Sequence, residues 1–135
     1  MLALFNPRPQ LELLPGILRP GVRSRLRWSF TGMASRLSRI EITLEGREEA
    51  THRVGTTTRT DTSLFLQQTI LDLTSSDQIA NGGEASIELP PNLVHTFTAS
   101  HNKIAYKLKL QGTIARWPDV IDEFEIEVAP EGGIR

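Results

Sequence analysis

The sequence is short of several features that would point directly to a function. It contains no cysteine, which excludes a disulfide framework and a thiolate metal site. It has no run of about 18 apolar residues, so we expect no membrane-spanning helix within the 135 residues. Its formal net charge of −1 argues against general nucleic-acid binding, which needs a basic surface. The composition is that of an ordinary globular domain with a buried core.

What the sequence does contain is alternation of apolar and polar residues, most clearly in residues 104–114. Every second position there is apolar or glycine, and the positions between them are Ala105, Lys107, Lys109, Gln111 and Thr113. Because successive side chains of a strand point to opposite faces, this pattern predicts a strand with one face in a core and the other in water.

Similar patterns predict strands at residues 11–14, 22–31, 36–45, 64–73, 85–89 and 121–128, separated by turns rich in glycine and proline. We therefore predict an all-β fold: one immunoglobulin-like antiparallel β-sandwich of about seven strands over residues 1–130, with a loose tail at 131–135. Residues 75–80 add one short helical turn, because serine and aspartate cap helices. The apolar faces of four of these predicted strands should form the core. Its members include Trp28, Ile40, Ile42, Tyr106, Leu108, Leu110, Phe124 and Ile126.

Residues 47–63 are polar and rich in threonine, and two interpretations are open. The segment is either a long loop at one end of the sandwich, or the preceding strand continues through Thr51 as an exposed edge, since edge strands are commonly polar and charged. We favour an edge strand to about Val54, followed by a loop. Edge strands present unpaired backbone groups, so we expect Thr51 and Arg53 to contact a protein partner or a second copy in a weak homodimer.

A second candidate contact for a partner is the strand end at Arg116 and Trp117. Pro118 cannot donate to a ladder of backbone hydrogen bonds, so these residues belong to a turn. Trp117 either covers the rim of the sandwich, which we favour because aromatic burial seals a strand end, or it is an exposed anchor for a partner. Both residues are therefore candidate partner contacts.

Charge is distributed unevenly along the chain. Residues 1–60 contain 10 Lys/Arg and 5 Asp/Glu, whereas residues 61–135 contain 5 and 11. The two halves either attract each other within the sandwich or leave a basic patch for a membrane or an acidic partner, and scattered exposed arginines are the more common outcome. The patch would consist of Arg19, Arg23, Arg25, Arg27 and Arg36.

No group of residues has the spacing of a familiar catalytic or metal site. His52, His95 and His101 lack the spacing of metal ligands. The acidic residues in 119–127 alternate with apolar ones and belong to the wet face of a strand, whereas calcium loops need oxygen ligands that converge from a curved backbone. We therefore expect no catalytic residue, no cofactor and no bound metal.

One resemblance lies in residues 86–128. A strand ends in Leu89-Pro90-Pro91, the following connection carries Phe97, and the next strand begins Ile104-Ala105-Tyr106-Lys107-Leu108. This order resembles arrestin-like domains, the immunoglobulin-type sandwiches also found in the Vps26 proteins of retromer. The resemblance covers about a third of the chain. It implies an arrestin-like fold and supplies no catalytic residues.

A second resemblance is spread over the whole chain, in Asn6-Pro7-Arg8-Pro9, residues 44–51 and residues 116–120. These phrases are similar to soluble domains of uncharacterised bacterial membrane proteins. The resemblance implies no known activity. It makes a transmembrane segment before residue 1 an expectation for the intact protein, so membrane association would come only from a segment outside this chain.

These observations favour a non-catalytic protein-interaction module, the soluble domain of a membrane-anchored bacterial protein. The alternative is a domain that binds a small ligand or carbohydrate, or hydrolyses one, since fold does not dictate function. A deep pocket with convergent polar groups would favour the alternative, and a pocket-poor surface with an open edge would favour the interaction module. The sequence does not indicate a cellular compartment.

Overall fold

Over the residues that the structure describes, the alternating pattern of the sequence becomes nine β-strands, with one short α-helix and one 3-10 helix. The structure, a computed structural model, describes residues 8–32 and 34–130, and only the backbone of Ser35. The predicted tail at 131–135 lies outside the described residues. The strands are β1 (Arg8–Leu14), β2 (Ile17–Leu18), β3 (Arg23–Thr31), β4 (Leu37–Val54), β5 (Thr57–Leu73), β6 (Gly83–Glu88), β7 (Phe97–Thr98), β8 (Asn102–Ile114) and β9 (Val120–Val128). A 3-10 helix (Ala34–Arg36) precedes β4, and the helix α1 (Ser76–Asn81) follows β5.

Two sheets face each other. The smaller sheet has the strand order β1-β3-β6, and the larger has the order β2-β9-β8-β4-β5, with β7 paired to β8 beyond the end of β9. All pairs are antiparallel except the two-residue pairing of β2 with β9. Seven of the described strands are six residues or longer, which confirms the predicted β-sandwich of about seven strands.

The core lies between the two sheets and confirms most of the predicted parity. Six of the eight predicted residues are buried: Trp28, Ile40, Ile42, Tyr106, Leu108 and Leu110. The other two, Phe124 and Ile126, face the same way but are only partly buried. They lie at the side of the sandwich where β9 borders a cleft next to β1, so the smaller sheet does not cover them completely.

The helical turn predicted at residues 75–80 is α1. The Ser75 side chain caps its N-terminus and accepts a hydrogen bond from the Gln78 backbone N–H at 3.4 Å. Ile79 is the buried residue of this helix and anchors it against β3 and β4. The prediction is therefore confirmed.

The polar segment at residues 47–63 folds differently from the prediction. β4 does continue to Val54, but it is a central strand rather than an edge, because β8 pairs with it as far as Ala50 and β5 pairs with its other side. The residues after Val54 are not a loop. A two-residue turn at Gly55 and Thr56 leads directly into β5, which is the edge strand. Both faces of this hairpin are exposed, so no apolar alternation marks the first half of β5 in the sequence.

The second half of β5 contains two bulges, at Phe65 and Ile70. The register with β4 shifts at these two points, and each shift leaves one extra residue in β5. An extra residue reverses the alternation of faces. This explains why the apolar residues of 64–73 fall on both parities in the sequence.

Candidate interaction site

β5 leaves one of its edges unpaired over residues 57–64, which we call the free edge. β4 covers the other side of these residues, and no other described strand pairs with them. The free edge begins at the two-residue turn, where Gly55 has a φ of +65° that glycine adopts without strain. It ends at the bulge at Phe65.

The direction of the backbone groups in this hairpin follows from one hydrogen bond. The Thr51 N–H donates to the His101 carbonyl at 2.8 Å, so Thr51 directs its backbone groups toward the start of β8. Successive residues of a strand direct these groups to opposite sides, so His52 directs them toward β5, and its partner Arg59 directs them back toward β4. The residues that direct their N–H and C=O groups outward are therefore Thr58, Thr60, Thr62 and Leu64.

The free edge has little of the usual protection of an edge strand. Natural edges are commonly blunted by charged side chains, proline, bulges or a covering segment, and the free edge has only the charges of Arg59 and Asp61. Residues 57–63 read Thr-Thr-Arg-Thr-Asp-Thr-Ser and are all exposed, and the first bulge comes only at Phe65. Threonine favours extended structure. The edge is therefore already in the conformation that another strand would need for pairing.

Two side-chain contacts cross the hairpin behind the free edge. The Oγ1 atoms of Thr51 and Thr60 lie 3.2 Å apart on one face. On the other face, His52 Nδ1 lies 3.7 Å from a carboxylate oxygen of Asp61. Exposed contacts of this kind contribute about 0–1 kcal/mol each. Their main effect is to favour one alignment of the two strands.

The structure divides the four predicted partner contacts between two places. Thr51 and Arg53 lie in this hairpin, on the strand behind the free edge. Arg116 and Trp117 lie in the turn after β8, at its opposite end. Because β8 has 13 residues, the two pairs are about 40 Å apart, and one short partner segment does not contact both. The Trp117 backbone N–H donates to the Ile114 carbonyl at 3.3 Å, and the residue is 42% exposed, so its side chain covers only part of the rim.

Sequence reasoning missed the residues that present the free edge. The sequence predicts a loop at Thr58, Thr60 and Thr62, because residues 55–63 include no apolar side chain. The signal that would have found them is the spacing itself. Threonine recurs at every second position from 56 to 62, and period-two repetition of a β-branched residue is typical of a strand.

The opposite side of the sandwich contains an apolar cleft of about 590 Å³ between β1 and β9. Its walls include Leu11 and Leu13 of β1, and Phe124 and Ile126 of β9. A cavity of this size lies within the range of small-molecule sites, about 300–1,000 Å³. The cleft is thus the second feature of this molecule that is suited to binding.

The strand edge beside this cleft is protected, unlike the free edge of β5. The Ala129 N–H donates to the Leu18 carbonyl at 2.8 Å, away from β8, so by alternation Glu123 also directs its N–H away from β8. Asp122 Oδ1 accepts a hydrogen bond from that N–H at 3.2 Å. A donor that is already satisfied offers less to an added strand.

The outer face of the larger sheet carries a network of charges. Lys107 Nζ lies 2.7 Å from a carboxylate oxygen of Glu123 and 3.9 Å from one of Glu45, and an Arg47 nitrogen lies 3.5 Å from Glu45. The hydrogen bond from Lys107 holds the pKa of Glu123 below its ordinary value. The opposite charges of β4, β8 and β9 therefore balance one another across the sheet.

The smaller sheet neutralises most of the basic patch considered from the sequence. Arg27 of β3 lies 3.3 Å from Glu12 and 3.1 Å from Glu84, and Arg23 lies 3.4 Å from Glu88. Glu84 and Glu88 belong to the acidic second half of the chain. Part of the attraction between the two halves thus occurs between β3 and β6.

Comparisons with known proteins bear on the fold. No protein-family model matches the sequence, and no curated protein matches it. Among solved structures, the chain is similar to the crystal structure of Spo0M, a sporulation control protein from Bacillus subtilis, with a TM-score of 0.58 and 12% sequence identity. The match covers 90% of this chain and 49% of Spo0M, so the chain spans about half the length of that protein. Spo0M has an arrestin-like fold.

The chain is an arrestin-like β-sandwich. This confirms the fold implied by residues 86–128. The tyrosine of that resemblance, Tyr106, is an anchor of the sandwich: its hydroxyl donates to the Val94 carbonyl, and burial raises its pKa to about 12. Tyr106 therefore stays protonated at neutral pH and fixes the connection before β8.

Two further properties concern the described part of the arrestin-like sandwich. The described residues contain no group of three or more His, Cys, Asp or Glu side chains placed to hold a metal ion. His95 and His101, which flank one connection in the sequence, are both exposed. Among the described elements, no helix has the length and apolar character needed to cross a bilayer.

Proposed function

We propose that this arrestin-like sandwich is a non-catalytic protein-interaction module that binds an extended segment by strand addition along the free edge. The observation that carries the proposal is the row of outward backbone groups at Thr58, Thr60, Thr62 and Leu64. In strand addition, main-chain hydrogen bonds provide affinity and alternate side chains provide specificity. The free edge meets the first requirement, and its charges meet the second.

The side chains beside the edge indicate the composition of the bound segment. One face of the edge carries threonines, and the other carries Arg59 and Asp61, which have opposite charge. A segment that is rich in β-branched residues, and that places an acidic residue beside Arg59 and a basic one beside Asp61, complements this pattern. Each cross-strand pair contributes about 0.2–1 kcal/mol. Binding is therefore of modest affinity and weakens with salt.

The test uses proline at an outward position. Thr60→Pro removes one outward donor and leaves the N–H groups that bond to β4, so it should abolish binding and leave the fold intact. Thr60→Val is the matched control, because it keeps both the N–H and the branched side chain. Thr51→Pro is unsuitable, since the Thr51 N–H already bonds to His101 inside the sheet.

The probe is a nine-residue synthetic peptide in which threonine alternates with glutamate and lysine, and the measurement is amide hydrogen exchange of the domain. Bound peptide should protect the amides of Thr58, Thr60 and Thr62 in the wild type, and the corresponding amides in Thr60→Val. Protection of the amides of Thr58 and Thr62 should disappear in Thr60→Pro. Equal protection of Thr58 and Thr62 in all three proteins would refute strand addition.

A further part of the proposal is that the domain belongs to a membrane-anchored bacterial protein. Its support is the similarity of residues 44–51 and 116–120 to soluble domains of such proteins. Fractionation of the complete gene product tests it. The complete product should sediment with membranes, whereas this chain alone should not. A complete product that stays in the supernatant would contradict the anchoring.

A second candidate function is binding of a small apolar ligand in the cleft between β1 and β9. The observation in its favour is the volume of about 590 Å³ with walls such as Leu11, Leu13, Phe124 and Ile126. Such walls suit an apolar molecule better than a carbohydrate, which needs polar partners. Titration with a fluorescent fatty acid tests it, with Leu13→Glu as the variant that should lose binding. No fluorescence change in the wild type would remove this candidate.

A further inference from the structure

The free edge carries charges of opposite sign at equal distances on the two sides of Thr60. Arg59 precedes this residue and Asp61 follows it, and threonines stand at 58 and 62. We propose that the partner of the free edge is a second copy of this chain. The two edges pair antiparallel around a two-fold axis that passes between the two Thr60 residues. This inference rests on the proposed function and names the segment that the edge binds. It also fixes the register of the two strands.

The backbone restricts the register. Two strands form a ladder only where residues that direct their backbone groups outward face each other. On the free edge these are Thr58, Thr60, Thr62 and Leu64. In an allowed register of two identical antiparallel strands, either one of these residues faces its own copy, or two of them face each other's copies. Each step from one allowed register to the next moves the facing residue by two positions.

Charge selects one of these registers. With Thr60 opposite Thr60 of the second copy, Arg59 faces Asp61 of the second copy, and the two-fold axis repeats the pair. A shift by two residues in one direction places Asp61 opposite Asp61, and the same shift in the other direction places Arg59 opposite Arg59. Like charges directly opposite each other are unfavourable in a sheet, so the Thr60 register is preferred.

Side-chain geometry favours the same register. Arg59 and Asp61 direct their own backbone groups toward β4, so across the new interface they form non-hydrogen-bonded pairs. Side chains approach most closely in such pairs. Thr58 faces Thr62 of the second copy at the neighbouring hydrogen-bonded positions, and threonine pairs are also favourable there.

The Thr60 register uses almost the whole free edge. Residues 57–63 pair within it, with Thr57 facing Ser63, and only Leu64 faces a residue outside it, the turn residue Thr56. The antiparallel arrangement places the bodies of the two copies at opposite ends of the ladder, so they do not collide. It also brings the turn of one copy against Leu64 of the other, which is 47% exposed in the single chain.

Charge reversal tests the register. The Thr60 register contains two Arg59–Asp61 pairs across the interface. Arg59→Asp should turn both into pairs of negative charges, and Asp61→Arg should turn both into pairs of positive charges. Each variant alone should self-associate about tenfold more weakly than the wild type, because both cross-strand pairs change sign.

An equimolar mixture of the two variants should associate again. The introduced aspartate of one chain then faces the introduced arginine of the other, and the native Asp61 of the first chain still faces the native Arg59 of the second. Sedimentation velocity at up to about 1 mM protein measures the wild type, both variants and the mixture, at the low salt concentrations where surface charges act.

Cysteine cross-linking gives a second readout that does not depend on charge. The chain has no cysteine, so a single introduced thiol reports only its own neighbour. In the Thr60 register, Thr60→Cys lies opposite its own copy at a Cα separation of about 5.5 Å, within reach of a disulfide. The matched control Thr62→Cys lies about 14 Å from its copy, four residues along the strand, and should not cross-link.

The outcomes separate this inference from the proposed function. A wild type that is monomeric at about 1 mM, a mixture of charge variants that stays monomeric, or equal cross-linking at 60 and 62 would each overturn the self-pairing. If the amides of Thr58, Thr60 and Thr62 are nevertheless protected by the synthetic peptide, strand addition stands and only the second copy is wrong. If neither a copy nor the peptide protects them, both ideas fall.

Discussion

Replacement of Gly46 by alanine should destabilise the sandwich at a site where two strands approach closely. Gly46 lies on the inner face of β4, opposite Tyr106 of β8. A Cβ atom at this position would lie 2.8 Å from Tyr106 Cε2 and 2.9 Å from Phe65 Cζ, whereas ordinary contacts of a Cβ begin at 3.4 Å. Phe65 is 40% exposed and has room to move, but Tyr106 is buried and held by its hydrogen bond to Val94.

The magnitude follows from how far Tyr106 must move. Relief of the contact requires a shift of 0.6 Å, the difference between 3.4 and 2.8 Å, in a side chain that is only 2% exposed. Overpacking of a core costs about 1–3 kcal/mol. Alanine also reduces the conformational entropy of the unfolded chain, which offsets about 0.4–1 kcal/mol. We expect a net loss of about 1–2 kcal/mol in the free energy of unfolding.

Urea denaturation of Gly46→Ala measures this loss, with Gly16→Ala as the matched control. A Cβ at Gly16 would meet nothing within 4 Å, so the control carries the same entropy gain without the steric conflict. Trimming the second neighbour, in Gly46→Ala with Phe65→Ala, should not restore stability, because the contact with Tyr106 remains. A Gly46→Ala protein that unfolds at the same urea concentration as Gly16→Ala would refute the steric argument.

Three further predictions concern the core. Leu108→Ala should lower the free energy of unfolding, measured by urea denaturation, by about 2–5 kcal/mol, because Leu108 is 1% exposed. A loss below about 1 kcal/mol would mean that the inner face of β8 is not part of the core. The Ser24 hydroxyl is buried without a hydrogen-bond partner among the described residues. Ser24→Ala should therefore leave the stability measured by thermal denaturation unchanged or raise it by about 1 kcal/mol. A clear loss of stability would mean that the hydroxyl has a partner. Tyr106, the single tyrosine, should titrate by ultraviolet absorbance at a pKa of about 12 in the folded chain and near 10 in urea. Since burial raises the folded pKa, its contribution to stability is complete below pH 10 and is lost as the pH rises toward 12, and a native titration near 10 would contradict its burial.

The strands of the core could be predicted because their pattern is local. β8 lies between two other strands and has one face on the smaller sheet, so its sequence alternates over its whole length. α1 could be predicted for a similar reason, since Ser75 caps it directly and Ile79 supplies its buried contact. In these elements buried and exposed positions recur with the period of the strand or helix, so the same period is visible in the order of apolar and polar residues.

The candidate site could be predicted only in part, for a reason that lies in its exposure. The polar threonine-rich segment pointed to an edge that could contact a partner, and an edge strand does lie within residues 47–63. The sequence predicts this edge on the wrong strand, because residues 52–63 are exposed and show no alternation of apolar and polar side chains. The sequence does not give the distance between Arg116 and Trp117 at one end of β8 and Thr51 and Arg53 near the other, because that distance depends on how the strands pair.

The sequence by itself determined the all-β class, the strand parity of the core and the charge pattern around Thr60, since each depends on neighbours a few residues apart. The tertiary structure alone decided which strand became the edge. The second half of β4 and the first half of β5 are both polar, and only the pairing of β4 with β8, more than 50 residues later in the chain, leaves β5 exposed. Pairing partners of a strand are set by long-range contacts between sheets, so the position of the free edge, and with it the proposed interaction site, emerges only when the sandwich is assembled.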